Sequence, residues 1–213
     1  MKRIVILGST GSIGTNTLDI VSKFPEDFQI VGLTAGSNDV KLEEQIRQFH
    51  PSMVALADPA AAGRLRARCG NLGIAILDGP EGLAQVARHS DATLVVSAIV
   101  GGAGLLPTLA ALTAGKHVAL ANKEPMVMAG QLMQDAAQAH HVKILPVDSE
   151  HSAVFQSMEG HRREDVRRII LTASGGPLWA MSREDMKTVT PEQALKHPNW
   201  KMGTKITIDS ATL

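Results

Sequence analysis

Short apolar runs alternate with helix-like stretches through the first two thirds of the chain. The runs at 3–8, 28–34, 53–57, 74–77, 93–98, 117–121 and 142–147 predict strands. The stretches near 12–24, 39–49, 59–69, 80–89, 104–114 and 125–140 predict helices. Alternation of this kind specifies a parallel sheet with helices on both faces. The runs at 93–98 and 117–121 are apolar on successive residues, as a strand covered on both sides requires. Helix 59–69, with Arg64, Arg66 and Arg68, reads as exposed.

The pattern changes after Val147. A helix is predicted at 151–158, a strand at Val166–Thr172, a short helix opened by Thr190-Pro191-Glu192, and a strand at 205–209. The fold class is therefore α/β: a Rossmann-like doubly wound parallel sheet over 1–147, followed over 148–213 by part of an α+β catalytic domain. The 66 residues of that second part are marginal for an independent core, so it is expected to lean on a partner chain, a second copy or further sequence.

Composition changes little. Hydrophobic residues make up 44% and charged residues 20%, which is ordinary globular usage. Lys plus Arg equals Asp plus Glu at 21 each, so no net field draws the chain to nucleic acid or membrane. Arg162, Arg163, Arg167 and Arg168 are interrupted by Glu164 and Asp165 and read as a solvated helix face. Cys69 stands alone, which excludes a disulfide framework and a cysteine metal cluster. The N-terminal apolar run is too short for a signal peptide, and no stretch is long enough for a membrane span, so a cytoplasmic protein is expected.

The candidate chemistry sits at strand ends. Gly8, Gly11 and Gly14 follow the first strand and precede a helix. That order aims backbone N–H groups at one point and lets a dinucleotide pyrophosphate approach. The second strand ends in Gly36-Ser37-Asn38, with no carboxylate before Asp39. Small polar residues there favour NADP over NAD, although no Arg stands at the tip; Asp39 reads as a helix N-terminal residue. Gly101-Gly102-Ala103-Gly104 is either a second point of ligand approach or a tight crossover. Gly115-Lys116-His117 lacks the rest of a P-loop.

Asn122-Lys123-Glu124 follows a buried run; Lys123 can donate to a substrate oxygen there, or Asn122 can cap a helix with Glu124 in its first turn. Asp148-Ser149-Glu150-His151 follows the last strand. In extended chain, Asp148 and Glu150 would project to one side. Two carboxylates about 4 Å apart repel by about 4 kcal/mol at an effective dielectric of 20, so a shared proton or Mg²⁺ or Mn²⁺ is expected, zinc through His151 being a weaker option. The alternative is a helix start capped by Asp148 or Ser149. Ser174-Gly175-Gly176, His197, Asn199, Trp200 and Ser210 form a third group, suited to an anion, with Trp200 able to cover a ligand.

Gly8–Gly14, Ala121–Glu124, Pro146–His151, Ala173–Pro177, His197–Trp200 and Asp209–Thr212 occur in that order. Together they resemble the 1-deoxy-D-xylulose 5-phosphate reductoisomerase family of non-mevalonate isoprenoid biosynthesis. The resemblance implies NADPH held by Thr10, Gly11, Ser12, Ile13, Gly36, Ser37, Asn38, Asn122, Glu124 and Gly203. It implies Mg²⁺ or Mn²⁺ on Asp148 and Glu150. It implies a sugar phosphate held by Lys123, Ser149, Ser174, His197, Trp200 and Ser210, with catalysis by Lys123, Asp148 and Glu150. The family is typically dimeric. Its Asn-Lys-Gly-Leu-Glu segment, with a third metal carboxylate, would follow Leu213, so weak or absent turnover is expected of the 213 residues alone. Leu178 and Pro125 depart mildly from the family pattern. Two rivals remain: another NADPH-dependent aldehyde or semialdehyde dehydrogenase, and a nucleotide-binding module without a catalytic half.

Overall fold

The computed structural model describes residues 1–201 and 203–209. Seven strands form one parallel sheet: β1 (Lys2–Leu7), β2 (Phe28–Ala35), β3 (Met53–Leu56), β4 (Ala75–Asp78), β5 (Leu94–Ser97), β6 (His117–Leu120) and β7 (Ile144–Pro146). Their order is β4-β3-β2-β1-β5-β6-β7, and every adjacent pair is parallel. The chain order reverses between β1 and β5, the switch point where open sheets of this class bind ligands.

Alternation along β1 shows why both faces close. Ile4 and Ile6 join one buried cluster with Leu18, Val21, Leu42, Ile46 and Leu65, from α1 (Ser12–Lys23), α2 (Asp39–Phe49) and α3 (Pro59–Cys69). Val5 and Leu7 join the other with Leu83, Val86, Leu112 and Met133, from α4 (Gly79–Ala87), α5 (Leu105–Thr113) and α6 (Glu124–Ala139). Burying one such side chain contributes about 1.5–3 kcal/mol. Helix α3 is not merely exposed: Ala61, Ala62, Leu65 and Cys69 are buried, and its arginines take the opposite side.

Contacts divide the chain into two compact units, Met1–Ser152 and Ala153–Leu213. Beyond the first unit lie most of α7 (Ser149–Met158) and the short helices α8 (Arg183–Met186), α9 (Pro191–Ala194) and α10 (Thr204–Asp209). Thr190 and Gln193 form the capping box of α9. The strand expected at 166–172 is absent, and Ile169, Ile170 and Leu171 are exposed. A strand needs a ladder partner, and no described residue pairs with this run. The strand expected at 205–209 is helix α10, where Thr207 N–H donates to the Gly203 carbonyl at 3.0 Å. Without a neighbouring strand, the backbone satisfies itself locally. Arg163–Asp165 form one 3₁₀ turn rather than a helix face, and Arg162 pairs with Glu164.

Candidate coenzyme and substrate site

The β1–α1 turn is built to leave room. Gly8 sits at φ 83°, and a Cβ there would lie 2.8 Å from the Ala98 carbonyl oxygen. A Cβ on Gly14 would lie 2.4 Å from the Gly8 oxygen, so this glycine lets α1 pack on the turn. Gly11 differs: a Cβ would meet only the Gly8 oxygen, at 3.4 Å, and its φ is −77°. The chain itself does not demand a glycine there. Gly11 begins α1 without a side-chain cap, and no acid stands in the first turn. Helix N–H groups at Ser12 and Ile13 therefore suit an anion.

Buried polar groups that sequence reading missed hold this turn. Ser9 donates its hydroxyl to Gln45 Oε1 at 2.6 Å, and Gln45 Nε2 donates back to the Ser9 carbonyl at 2.9 Å. Gly8 N–H reaches Thr34 Oγ1 at 3.0 Å, and Ser9 N–H reaches the Thr34 carbonyl at 2.8 Å. Turn, β2 and α2 are thereby one rigid piece. Gly36, Ser37 and Asn38 are exposed at the neighbouring strand end, and Asn38 Oδ1 caps α2 by accepting from Lys41 N–H at 3.1 Å.

Asn122 follows β6 at the same sheet edge. It does not cap α6; Lys123 holds that position, with no side-chain cap bond. Its Oδ1 instead accepts from Ser97 Oγ at 3.2 Å, within a buried chain through Thr108 to the Gly104 carbonyl. Its Nδ2 is buried with no hydrogen-bond partner. A Cβ on Gly104 would sit 2.7 Å from that Nδ2 and 3.0 Å from the Ile99 oxygen. Within the second glycine turn Gly104 is thus tightly packed, whereas a Cβ on Gly101 would meet nothing within 4 Å. Glu124 lies in the first turn of α6, where its charge suits the helix dipole.

Asp148 follows β7. The extended geometry expected of Asp148 and Glu150 is not adopted: α7 starts at Ser149, and Ser152 N–H donates to the Asp148 carbonyl at 2.8 Å. Closing the first helical turn prevails over continuation of the strand. Asp148 Oδ2 lies 3.7 Å from Lys123 Nζ, and its Oδ1 lies 3.6 Å from His151 Nδ1. Among the described residues no three His, Cys, Asp or Glu side chains gather as a metal site. Carboxylate oxygens are the hard donors that Mg²⁺ takes, with further ligands from water or substrate. The helix start, however, puts Glu150 in the first turn of α7 rather than beside Asp148 on one side of an extended segment. A cavity of about 210 Å³ lies here, lined by Asn122, Lys123, Met126, Pro146, Asp148 and His151 among others. A larger one, about 440 Å³ beside His50 and Ile74, opens where β3 and β4 begin, away from the switch-point edge.

In the second unit, Gly175 (φ 88°) and Gly176 (φ 63°) shape the turn after Ser174. His197 Nδ1 accepts the backbone N–H groups of Asn199 and Trp200, at 3.2 and 3.0 Å. Its proton therefore sits on Nε2, 3.2 Å from Ser174 Oγ. Trp200 is exposed. The Gly203 carbonyl accepts from Thr207; Ser210 lies outside the described residues.

The sheet order and the glycine turn after β1 define a doubly wound, Rossmann-like α/β protein. The comparisons narrow the class. Residues 4–130 match the model of 1-deoxy-D-xylulose 5-phosphate reductoisomerase, and residues 144–213 match its C-terminal domain. The chain belongs to the 1-deoxy-D-xylulose 5-phosphate reductoisomerase family. It is 59% identical, over its whole length and 54% of the relative, to the reductoisomerase of Anaeromyxobacter sp. (strain K). To that of Chlorobium phaeobacteroides (strain BS1) it is 57% identical, over its whole length and 56% of the relative. A solved reductoisomerase in complex with NADPH, fosmidomycin and magnesium is 40% identical, with a TM-score of 0.90, over 99% of this chain and 54% of that one. The chain thus spans a little over half the length of the relatives it matches. No helix among the described residues is long and apolar enough to cross a membrane.

Proposed function

We propose that the complete protein is an NADPH- and divalent-metal-dependent reductoisomerase. It converts 1-deoxy-D-xylulose 5-phosphate to 2-C-methyl-D-erythritol 4-phosphate, and residues 1–213 supply its coenzyme domain and part of its substrate and metal site. The match of both family domains carries this reading. The functional division falls between 147 and 148. The complete protein is a cytoplasmic homodimer, in keeping with exposed Val127, Met128 and Leu132 on α6.

Backbone N–H groups from Thr10 to Ile13 receive the pyrophosphate, and Gly36, Ser37 and Asn38 receive the adenosine half. Asn122, Glu124 and Gly203 complete the nucleotide contacts. Asp148 and Glu150 are the carboxylates that would hold Mg²⁺ or Mn²⁺. When bound, the ion polarises the ketone and neighbouring hydroxyl as a Lewis acid, and NADPH supplies hydride to the rearranged aldehyde. Lys123 and Ser149 orient the substrate oxygens. Ser174 and His197 anchor the phosphate with Ser210, and Trp200 excludes water. Remote anchoring of this kind supplies binding energy for positioning at the reacting carbons.

The test is metal-dependent turnover of the complete protein with 1-deoxy-D-xylulose 5-phosphate and NADPH. Activity lost to a chelator and restored by Mn²⁺ is expected. Metal-independent reduction of an aldehyde, with no turnover of the pentulose phosphate, would favour a dehydrogenase instead.

A further inference from the structure

One cation meets the glycine turn from a distance in sequence. Lys41 belongs to the first turn of α2, yet its Nζ donates to the Thr10 carbonyl at 3.0 Å. The ammonium therefore lies against the β1–α1 turn, while the backbone N–H of the same residue donates to Asn38 Oδ1 at the exposed tip Gly36-Ser37-Asn38. In doubly wound folds the ribose of the adenosine half sits at this strand end, where an acid binds a 2′-hydroxyl and a cation accommodates a 2′-phosphate. The nearest acid here is withdrawn. Asp39 is 6% exposed and is held by Arg64 at 2.7 Å and Arg68 at 2.7 Å. An ammonium has three N–H donors, and Thr10 takes one.

We propose that Lys41 selects the coenzyme by binding its ribose 2′-phosphate. The ligand class is a dianionic phosphate monoester on a purine nucleotide. The proposal rests on the coenzyme part of the reading above and adds the residue that decides between NADPH and NADH. Arg64 and Arg68 act indirectly, by drawing the Asp39 charge into the α2–α3 contact.

The experiment measures dissociation constants of NADPH and NADH for the 213-residue chain by fluorescence titration, with Lys41→Met, Lys41→Arg and Lys41→Glu beside it. Loss of one charge-assisted bond predicts NADPH binding weaker by about tenfold or more in Lys41→Met, with NADH within about twofold. Lys41→Arg keeps the preference, and Lys41→Glu reverses it. Equal weakening of both nucleotides would make Lys41 a strut for the turn and overturn the proposal, as would no change in either. If the unaltered chain bound neither nucleotide, or both equally, the NADPH reading would fall and the role of Lys41 with it. That result appears before any variant is made, so the two failures are told apart.

Discussion

His89 illustrates how one buried side chain fixes its own protonation. Its Nδ1 accepts the Asp91 N–H at 3.2 Å, so Nε2 carries the proton and donates to Ser52 Oγ at 2.8 Å; Ser52 passes a hydrogen to the Val31 carbonyl at 3.2 Å. Burial pushes the imidazole below its usual range. The unfolded chain takes a proton near pH ~6.5 and the folded one only at lower pH. This contribution is complete above that value and is lost as pH falls through the folded pKa. Urea midpoints should drop between pH 7.5 and 5.5, by less in His89→Gln. Ser9 offers a second test. Ser9→Ala leaves Gln45 Oε1 without its donor inside the protein, and the midpoint should report a loss of about 1–3 kcal/mol. Neither network was legible in the sequence. Ser9 and Gln45 stand 36 positions apart, and nothing local marks them as partners. The places of Gly8, Asn122 and Asp148 were legible, because each stands just after an apolar run that ends at the carboxyl edge of the sheet.

Two glycines three residues apart on one element should separate packing from binding. Gly14→Ala drives a methyl into backbone at 2.4 Å and should destabilise by about 1–3 kcal/mol. Gly11→Ala meets only ordinary contact, so its urea midpoint should hold within about 1 kcal/mol while NADPH binding is lost. Helices α2 and α3 are joined by charge. Arg68 pairs with Asp39 and Glu43, Arg64 with Asp39, and Arg47 with Glu43. The guanidinium hydrogen bonds hold both carboxyls below their usual range. Their contribution is present above pH ~4 and disappears as pH falls through the folded values. Arg68→Met should lower the midpoint at pH 7, and the gap should close on acidification. The seven strands and six helices of the sheet region were legible because each βαβ unit is local and each buried run is short and continuous. Ile169–Leu171 and Ile206–Ile208 were misread for the opposite reason. Their apolar pattern has no strand beside it, so periodicity alone said nothing about pairing.

Across the whole chain, burial is uneven in a way that exchange can measure. Among the described residues, the buried hydrophobic side chains all lie between Ile4 and Ala137. From Ala153 onward, Ile169, Ile170, Leu171, Trp179 and Trp200 are each at least 60% exposed. Amides in β1, β5 and β6 are paired on both sides, and those strands lie beneath buried helices. Opening them requires global unfolding, whereas a run without a ladder opens locally at little cost. Hydrogen exchange on the 213-residue chain should therefore protect β1, β5 and β6 for hours and release 166–172 within seconds. Raising the protein concentration should leave that contrast unchanged. Protection of 166–172 that grew with concentration would mean that a second copy supplies the missing ladder, and the strand expected there would form in the dimer.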